Sequence, residues 1–375
     1  MIVAILSILL LVCIFLVVYP YAIYPLILRR LPSRAILREE GNNLSATLVF
    51  CAYNEAQVIG EKIANIEKLK ERHPDLEVLA FDDGSSDSTF EQLDARKDLL
   101  TVVRGGGRNG KAHGMKRLAA MATGDIMIFT DANVLLKEDA IDRLMAWYAD
   151  PDVGGICGSL HYLGGTDSTT ANVGSLYWRL EEYLKKEESR TGNVMGGDGS
   201  IFSLRRALYP SFPDTVLDDL TVSMAAVFSG KRLIKVEDVI AYERLVALRS
   251  EEYARKVRIA ARAYHTHLFL SPQLKKMRRL DMFKYASRKM VRWFGGFFLL
   301  LGVAIAAVLA AMISWYLFLA GVVVLGAFVV LGLKAQHGPV ASLMEIILAL
   351  LATLQGVFRA MRGKTFAVWN PAKSR

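Results

Sequence analysis

Four stretches without the polar groups that water demands confine what this chain can become. Ile2 to Leu28, Phe294 to Met312 and Trp315 to Leu333 carry no charged residue, and Val340 to Phe358 carries only Glu345 and Gln355 as interruptions. In lipid every backbone N–H and C=O must be paired within the segment, so runs of this length form helices that span or line a bilayer. The chain is therefore expected to be a membrane protein with a polar middle. Hydrophobic residues make up 53% of the 375, and they concentrate at the two ends.

The charge supports that division. The net charge of +9 collects beside the apolar ends, which points to anionic lipid head groups and away from nucleic acid. No basic residue precedes the first apolar stretch and no small-x-small cleavage site follows it, whereas Arg29, Arg30 and Arg34 do follow. Residues 1–28 read as a retained anchor with an external N-terminus, kinked by Pro20 and Pro25. Residues 274–292 read as an amphipathic helix on the inner leaflet, with Lys275, Lys276, Arg278, Arg279, Lys284, Arg288, Lys289 and Arg292 as its basic face. Residues 294–358 form the second membrane region and 359–375 a basic tail. Four spans would place Arg359, Arg362, Lys364, Lys373 and Arg375 outside, against the positive-inside rule, so the last stretch is expected to be interfacial or re-entrant with a cytosolic C-terminus. Cys13, Cys51 and Cys157 have no zinc or disulfide spacing, which fits a reducing compartment for residues 45–270.

Within 45–270 apolar runs alternate with helical stretches. Strands are expected at Ala46–Tyr53, Glu77–Phe81, Leu99–Val103 and Ile126–Phe129, with helices between them. This βαβαβαβ order implies an α/β fold with a mostly parallel, Rossmann-like sheet. Acidic or amide groups follow three of the strands: Asn54-Glu55, Asp82-Asp83 and Asp131 with Asn133. In a parallel sheet these share the carboxyl edge, where ligands bind. Crowded carboxylates repel unless a cation or ligand donors join them, and oxygen ligands suit Mg²⁺ or Mn²⁺ against a diphosphate. Lys111 follows the loop Arg104–Gly110 at a helix start, which suits a phosphate or a base edge. No G-x-G-x-x-G opens the first strand–helix turn and no Walker A lysine occurs, which argues against a dehydrogenase or a P-loop enzyme. Simpler roles exist for the same residues. Asp131 or Asn133 would cap a helix over Glu138–Tyr148, Asp218-Asp219 would cap the next one, and Asp198 between glycines would be a turn residue.

Val49-Phe50-Cys51-Ala52-Tyr53-Asn54-Glu55, Asp82-Asp83-Gly84-Ser85-Ser86-Asp87, Asn109-Gly110-Lys111-Ala112, Thr130-Asp131-Ala132-Asn133, Gly196-Gly197-Asp198-Gly199 and Leu217-Asp218-Asp219 occur in that order. With them the chain resembles the family 2 inverting glycosyltransferases, especially the membrane-bound branch of cellulose, chitin and hyaluronan synthases. The resemblance implies a GT-A fold and a nucleotide-diphosphate sugar donor, most often UDP-linked. It implies that Ala52, Glu55, Asp83, Lys111 and Asp131 hold the donor, with Asp131 and Asn133 at the metal. Asn133 stands where many relatives carry a second Asp. Gly197 and Asp198 would border the acceptor, Arg255 and Arg258 would sit near the diphosphate, and Asp219 would be the general base.

Processive relatives carry Gln/Arg-x-x-Arg-Trp near the acceptor entrance. At Arg255-Lys256-Val257-Arg258-Ile259 the arginines fit and Ile259 replaces the tryptophan. The expected enzyme therefore adds a single sugar to a lipid-linked saccharide or polysaccharide acceptor at the inner or plasma membrane, with a cytosolic catalytic domain and a setting in exopolysaccharide or cell-surface glycan synthesis. A processive synthase and a non-catalytic scaffold on a degenerate domain are the competing expectations.

Overall fold

The computed structural model describes residues 1–39, 43–163, 169–244, 249–335 and 337–364. The tail beyond 364, with Lys373 and Arg375, lies outside the described residues. The first apolar stretch is not one rod. Helix α1 (Ile2–Val18) and helix α2 (Ile23–Arg30) meet at a 63° bend beside Pro20. Tyr24 and Leu28 of α2 are buried with Leu184, so α2 is bound to the polar domain and α1 is the apolar rod.

Strands β1 (Ala46–Ala52), β2 (Glu77–Asp82), β3 (Thr101–Arg104) and β4 (Ile126–Thr130) are parallel neighbours in the order β3-β2-β1-β4. Helices α3 (Ile59–Arg72), α4 (Thr89–Asp94) and α5 (Lys111–Met121) connect them. After the short β5 (Leu135–Leu136) and α6 (Ala140–Ala146), the topology changes. Strand β6 (Val153–Leu163), helix α7 (Thr169–Arg190), strand β7 (Ile201–Arg205), helix α8 (Asp218–Phe228) and strand β8 (Arg232–Arg244) complete an eight-stranded sheet, β3-β2-β1-β4-β7-β6-β8-β5. The expectation of a mostly parallel sheet holds, since β6 also pairs with β8 in parallel, but there are antiparallel exceptions. Strand β7 is antiparallel to both β4 and β6, and β5 is antiparallel to β8, so the sheet is mixed. Strand β8 is continuous, and its pairing with β6 slips between Cys157 and Ser159.

Both faces of the sheet are covered, as its nearly continuous apolar strands require. Leu48, Phe50 and Ala52 point to one core with Ile59, Ile66 and Leu144. Val49 and Cys51 point to the other with Met115, Leu118, Leu220 and Met224. That second core continues through Leu270, Tyr285 and Trp293 to Val357, so it joins the sheet to the membrane-proximal helices. Fully buried Phe50, Phe81, Phe129 and Phe202 each contribute about 1.5–3 kcal/mol of transfer free energy.

Helix α9 (Arg249–Leu274) leads to a broken segment: α10 (Arg279–Tyr285), a π turn (Ala286–Met290) and α11 (Val291–Trp293). The sequence reading of 274–292 as a lipid-facing amphipathic helix is corrected here. Lys284, Arg288 and Arg292 are buried in protein, and among its basic residues Lys275, Lys276, Arg278 and Arg279 are the exposed ones. Helices α12 (Gly295–Ile313), α13 (Trp315–Lys334) and α14 (Pro339–Met361) are each long and apolar enough to cross a membrane.

Candidate active site

Strands β1, β2 and β4 run in parallel register, so their carboxyl ends open on one edge and bring Glu55, Asp83 and Asp131 to it. Asn54 adopts a left-handed φ of 51°, which turns the chain sharply out of β1. Its amide oxygen accepts the Ser86 N–H at 2.8 Å, tying this turn to the one after β2. Glu55 is buried, and its N–H donates to Thr89 Oγ1 at 2.8 Å. The Asp83 N–H donates to the Ala52 carbonyl at 2.9 Å. The fully buried Asp83 carboxylate accepts the N–H groups of Asn109 and Gly110 at 2.8 and 3.0 Å, so it orders the loop that delivers Lys111.

Lys111 is the centre of the site. Its Nζ lies 2.5 Å from Asp131 Oδ1 and 3.8 Å from Asp218 Oδ2. Burial works against its charge, yet Asp131, Asp218 and Asp219 together hold its pKa above the ordinary lysine value. A Cβ on Gly199 would stand 2.8 Å from Lys111 Nζ, so the 196–199 loop lies directly against this pair. Asp219 is partly buried at the start of α8 and accepts the Leu220 N–H at 2.6 Å. Burial and the neighbouring Asp218 carboxylate raise its pKa to about 6, with Lys111 acting in the opposite direction.

The helix-cap readings fail on geometry. Helix α6 starts at Ala140, well past Asp131 and Asn133, and the cap position of α8 is Leu217 with no side-chain hydrogen bond. The Asn133 amide nitrogen donates to Glu243 Oε1 at 3.0 Å, and its oxygen is the atom left to meet a cation. Among the described residues no group of three or more His, Cys, Asp or Glu forms a metal cage. Divalent cations at phosphate sites need only one or two protein carboxylates, with substrate oxygens and water completing the shell. Asp131 offers one carboxylate and Asn133 an amide oxygen, which is within that requirement. The donor set therefore fits Mg²⁺ or Mn²⁺.

Gly197 donates its N–H to Ser223 Oγ at 2.8 Å, and Asp198 pairs with Lys185, which holds its pKa low despite burial. Lys185 lies 4.7 Å from the Trp178 ring centre. Arg255 pairs with Glu252 at 3.2 Å and feels the charge of Glu243, so it faces the Asn133 side of the site. Arg258, one turn further along α9, is partly buried.

Three nearby residues were not assigned to the site by the sequence reading. Arg108 stacks 3.4 Å over the Tyr53 ring beside the expected nucleoside position. Glu243 reaches the site only because β8 pairs with β6, and no motif marks it. Lys289 comes within 4.0 Å of a Cβ built on Gly196, feels the charge of Asp219, and is lowered by burial and Arg288 to a pKa of about 8. A signal for Lys289 was present, because the chain's one Arg-Trp pair is Arg292-Trp293, three residues after it. Trp293 is nevertheless buried, edge-on to His267 at 5.1 Å and Tyr264 at 5.5 Å, and offers no open sugar platform.

Residues 47–211 match the model of the glycosyl transferase family 2. An uncharacterized glycosyltransferase of Nostoc sp. is 25% identical over 156 residues, 40% of this chain and 47% of the relative. A beta-monoglucosyldiacylglycerol synthase of Synechocystis sp. is 27% identical over 198 residues, 47% of this chain and 39% of the relative. The chain thus spans less than half the length of these relatives. A mannosyltransferase, PcManGT from Pyrobaculum calidifontis, solved in complex with GDP-Man and Mn²⁺, superposes with a TM-score of 0.74 at 22% identity over 96% of this chain and 99% of that one. The α/β domain is similar to the glycosyl transferase family 2 over residues 47–211, and it has a GT-A fold.

Proposed function

We propose that the protein is a membrane-bound, metal-dependent inverting glycosyltransferase that moves one sugar from a nucleotide-diphosphate sugar to a lipid or lipid-linked saccharide. The observation that carries this reading is the grouping of Asp131, Lys111, Asp218 and Asp219 at the sheet edge, with Asp219 raised to a pKa of about 6. A carboxylate with that pKa is ionised at neutral pH and still basic enough to accept a proton in a transition state. Asp219 takes the proton of the acceptor hydroxyl as that oxygen attacks the anomeric carbon. The bond to the diphosphate breaks on the opposite face, and configuration inverts. Lys111 sits where it balances charge on the departing diphosphate. Asp131, with the Asn133 oxygen, would hold a divalent cation, which when bound neutralises the diphosphate. Ala52, Glu55 and Asp83 frame the nucleoside side, and Gly197 and Asp198 the acceptor side. Arg255 lies near Asn133 through Glu243, in reach of added negative charge.

A lipid acceptor is supported by the continuity of the second core with the membrane-proximal helices, and by the relative whose name specifies a glycosylated diacylglycerol. The same arrangement favours a transferase domain on the cytosolic face of an inner or plasma membrane, where nucleotide sugars are made. The test uses the full chain in proteoliposomes with Mn²⁺ and a panel of labelled UDP- and GDP-sugars. Diacylglycerol and lipid-linked saccharides serve as acceptors. A chelator-sensitive glycolipid with inverted anomeric configuration is expected. Water-soluble product only, or transfer that ignores chelation, would overturn the proposal. The Lys289-x-x-Arg292-Trp293 run keeps processive synthesis as a second reading, and long polymer from a short acceptor would establish it.

A further inference from the structure

Composition makes α14 a span, but its neighbours place it elsewhere. Helix α12 leaves the transferase domain directly after the buried Trp293. At 1.5 Å per residue its 19 residues extend about 28 Å, one hydrocarbon thickness, and the 20 residues of α13 bring the chain back. The end of α13 at Lys334 is therefore at the transferase side again. Helix α14 stays at that level. A Cβ on Gly332, near the end of α13, would lie 2.6 Å from Met344. A Cβ on Gly296, at the base of α12, would lie 2.6 Å from the Leu350 carbonyl. Further on, a Cβ on Gly356 would lie 2.4 Å from the Val257 carbonyl of α9, and Tyr253 Oη donates to Gln355 at 3.2 Å. Met344 and Gly356 are separated by only about 18 Å of helix. Within its most apolar window α14 is 44% buried, against 17% for α12 and 6% for α13.

We propose that α14 lies in the interface between the transferase domain and the bilayer, and that its outer face is a docking surface for anionic phospholipid head groups. Leu351, Leu354, Gln355, Phe358, Arg359 and Arg362 line an open groove of about 410 Å³ on that face. Phe358 and Met361 are exposed apolar side chains that enter the acyl boundary. Arg359 and Arg362 are exposed and form no ion pair among the described residues, so the groove offers two positive charges at head-group level. Arg29, Arg30, Lys334 and Lys364 then share the same membrane face, which removes the conflict with the positive-inside rule.

Two measurements on the full chain in nanodiscs test this. Spin labels on Ile346→Cys and Met361→Cys report depth by collision with polar and apolar relaxants, and both are expected at the boundary between head groups and acyl chains. A midplane position for Ile346→Cys would show a span and overturn the proposal. Spin-labelled phosphatidylglycerol and phosphatidylcholine then report lipid preference at the protein surface. Wild type should favour phosphatidylglycerol by roughly fivefold, falling towards parity in Arg359→Gln/Arg362→Gln. Equal preference in wild type and variant would sink the lipid assignment. So would an unchanged preference accompanied by a raised KM for diacylglycerol, which would assign the groove to the acceptor. Each single variant gives the same reading if the double variant does not yield folded protein.

Discussion

In its proposed role Asp219 would serve the reaction and burden stability at once. Its folded pKa of about 6 exceeds the model-compound value of 3.8. The stabilising contribution of the protonated form is complete below pH 3.8 and is lost as pH rises through about 6. At pH 7 the carboxylate thus costs up to about 3 kcal/mol relative to acid conditions. Asp219→Asn should remove that dependence and raise Tm at neutral pH, while kcat drops by roughly 10²–10⁴-fold and donor affinity survives. Wild-type kcat should fall on the acid side with a midpoint near pH 6, because the base must be ionised. Normal turnover by the Asn variant would remove Asp219 from the role. Asp131 acts on a different property. Asp131→Ala should abolish Mn²⁺-dependent donor binding in titration calorimetry, since the Asn133 oxygen alone adds no charge.

At the scale of elements, the loop after β4 is held from below by α3. Lys62 is fully buried, and its Nζ donates to the Val134 carbonyl at 2.6 Å and to Thr130 Oγ1 at 3.4 Å, clamping both ends of the Asp131 segment. The Thr130 hydroxyl in turn donates to the Ser200 carbonyl at 2.9 Å, so the clamp extends to the 196–199 glycine loop. Lys62→Met removes a buried amine whose pKa burial lowers to about 7, and leaves the Val134 carbonyl without its donor at a cost of about 1–3 kcal/mol. We expect a Tm within a few degrees of wild type and a several-fold higher Mn²⁺ concentration for half-maximal donor binding. A large drop in Tm with unchanged metal dependence would make Lys62 a purely structural residue.

Across the whole molecule, a buried ionic network fastens the transferase domain to its membrane-proximal part. Arg288 binds Glu181 at 2.9 Å and Glu188 at 2.7 Å, Arg292 binds Glu181, and Tyr24 of α2 donates to Glu188 at 2.7 Å. Glu181 is held below the usual carboxylate range because Arg292 and Arg288 outweigh its burial. Removing one member strands the others, so Glu181→Ala should cost about 3–5 kcal/mol in thermal or denaturant unfolding. A loss below about 1 kcal/mol would mean that the network is solvated and structurally idle.

How much of this was readable follows from range. Apolar runs and the order of motifs are local, so the parallel β3-β2-β1-β4 half and the placing of Asp83 and Asp131 at its strand ends were legible from the chain alone. Their convergence follows from parallel register, which places all the carboxyl ends on one edge. The reversal of β7, the arrival of Glu243 and the burial of Arg288 and Arg292 were not legible. A charged residue reads as solvent-facing until its partner is known, and the partner Glu181 lies more than a hundred residues away. Helix α14 makes the same point for the membrane. Its composition determined that it would leave water, but the close packing of Gly296 and Gly356 against Leu350 and α9 decided where it went. Hydrophobicity measures what a segment avoids and carries no direction, whereas steric fit between surfaces fixes position.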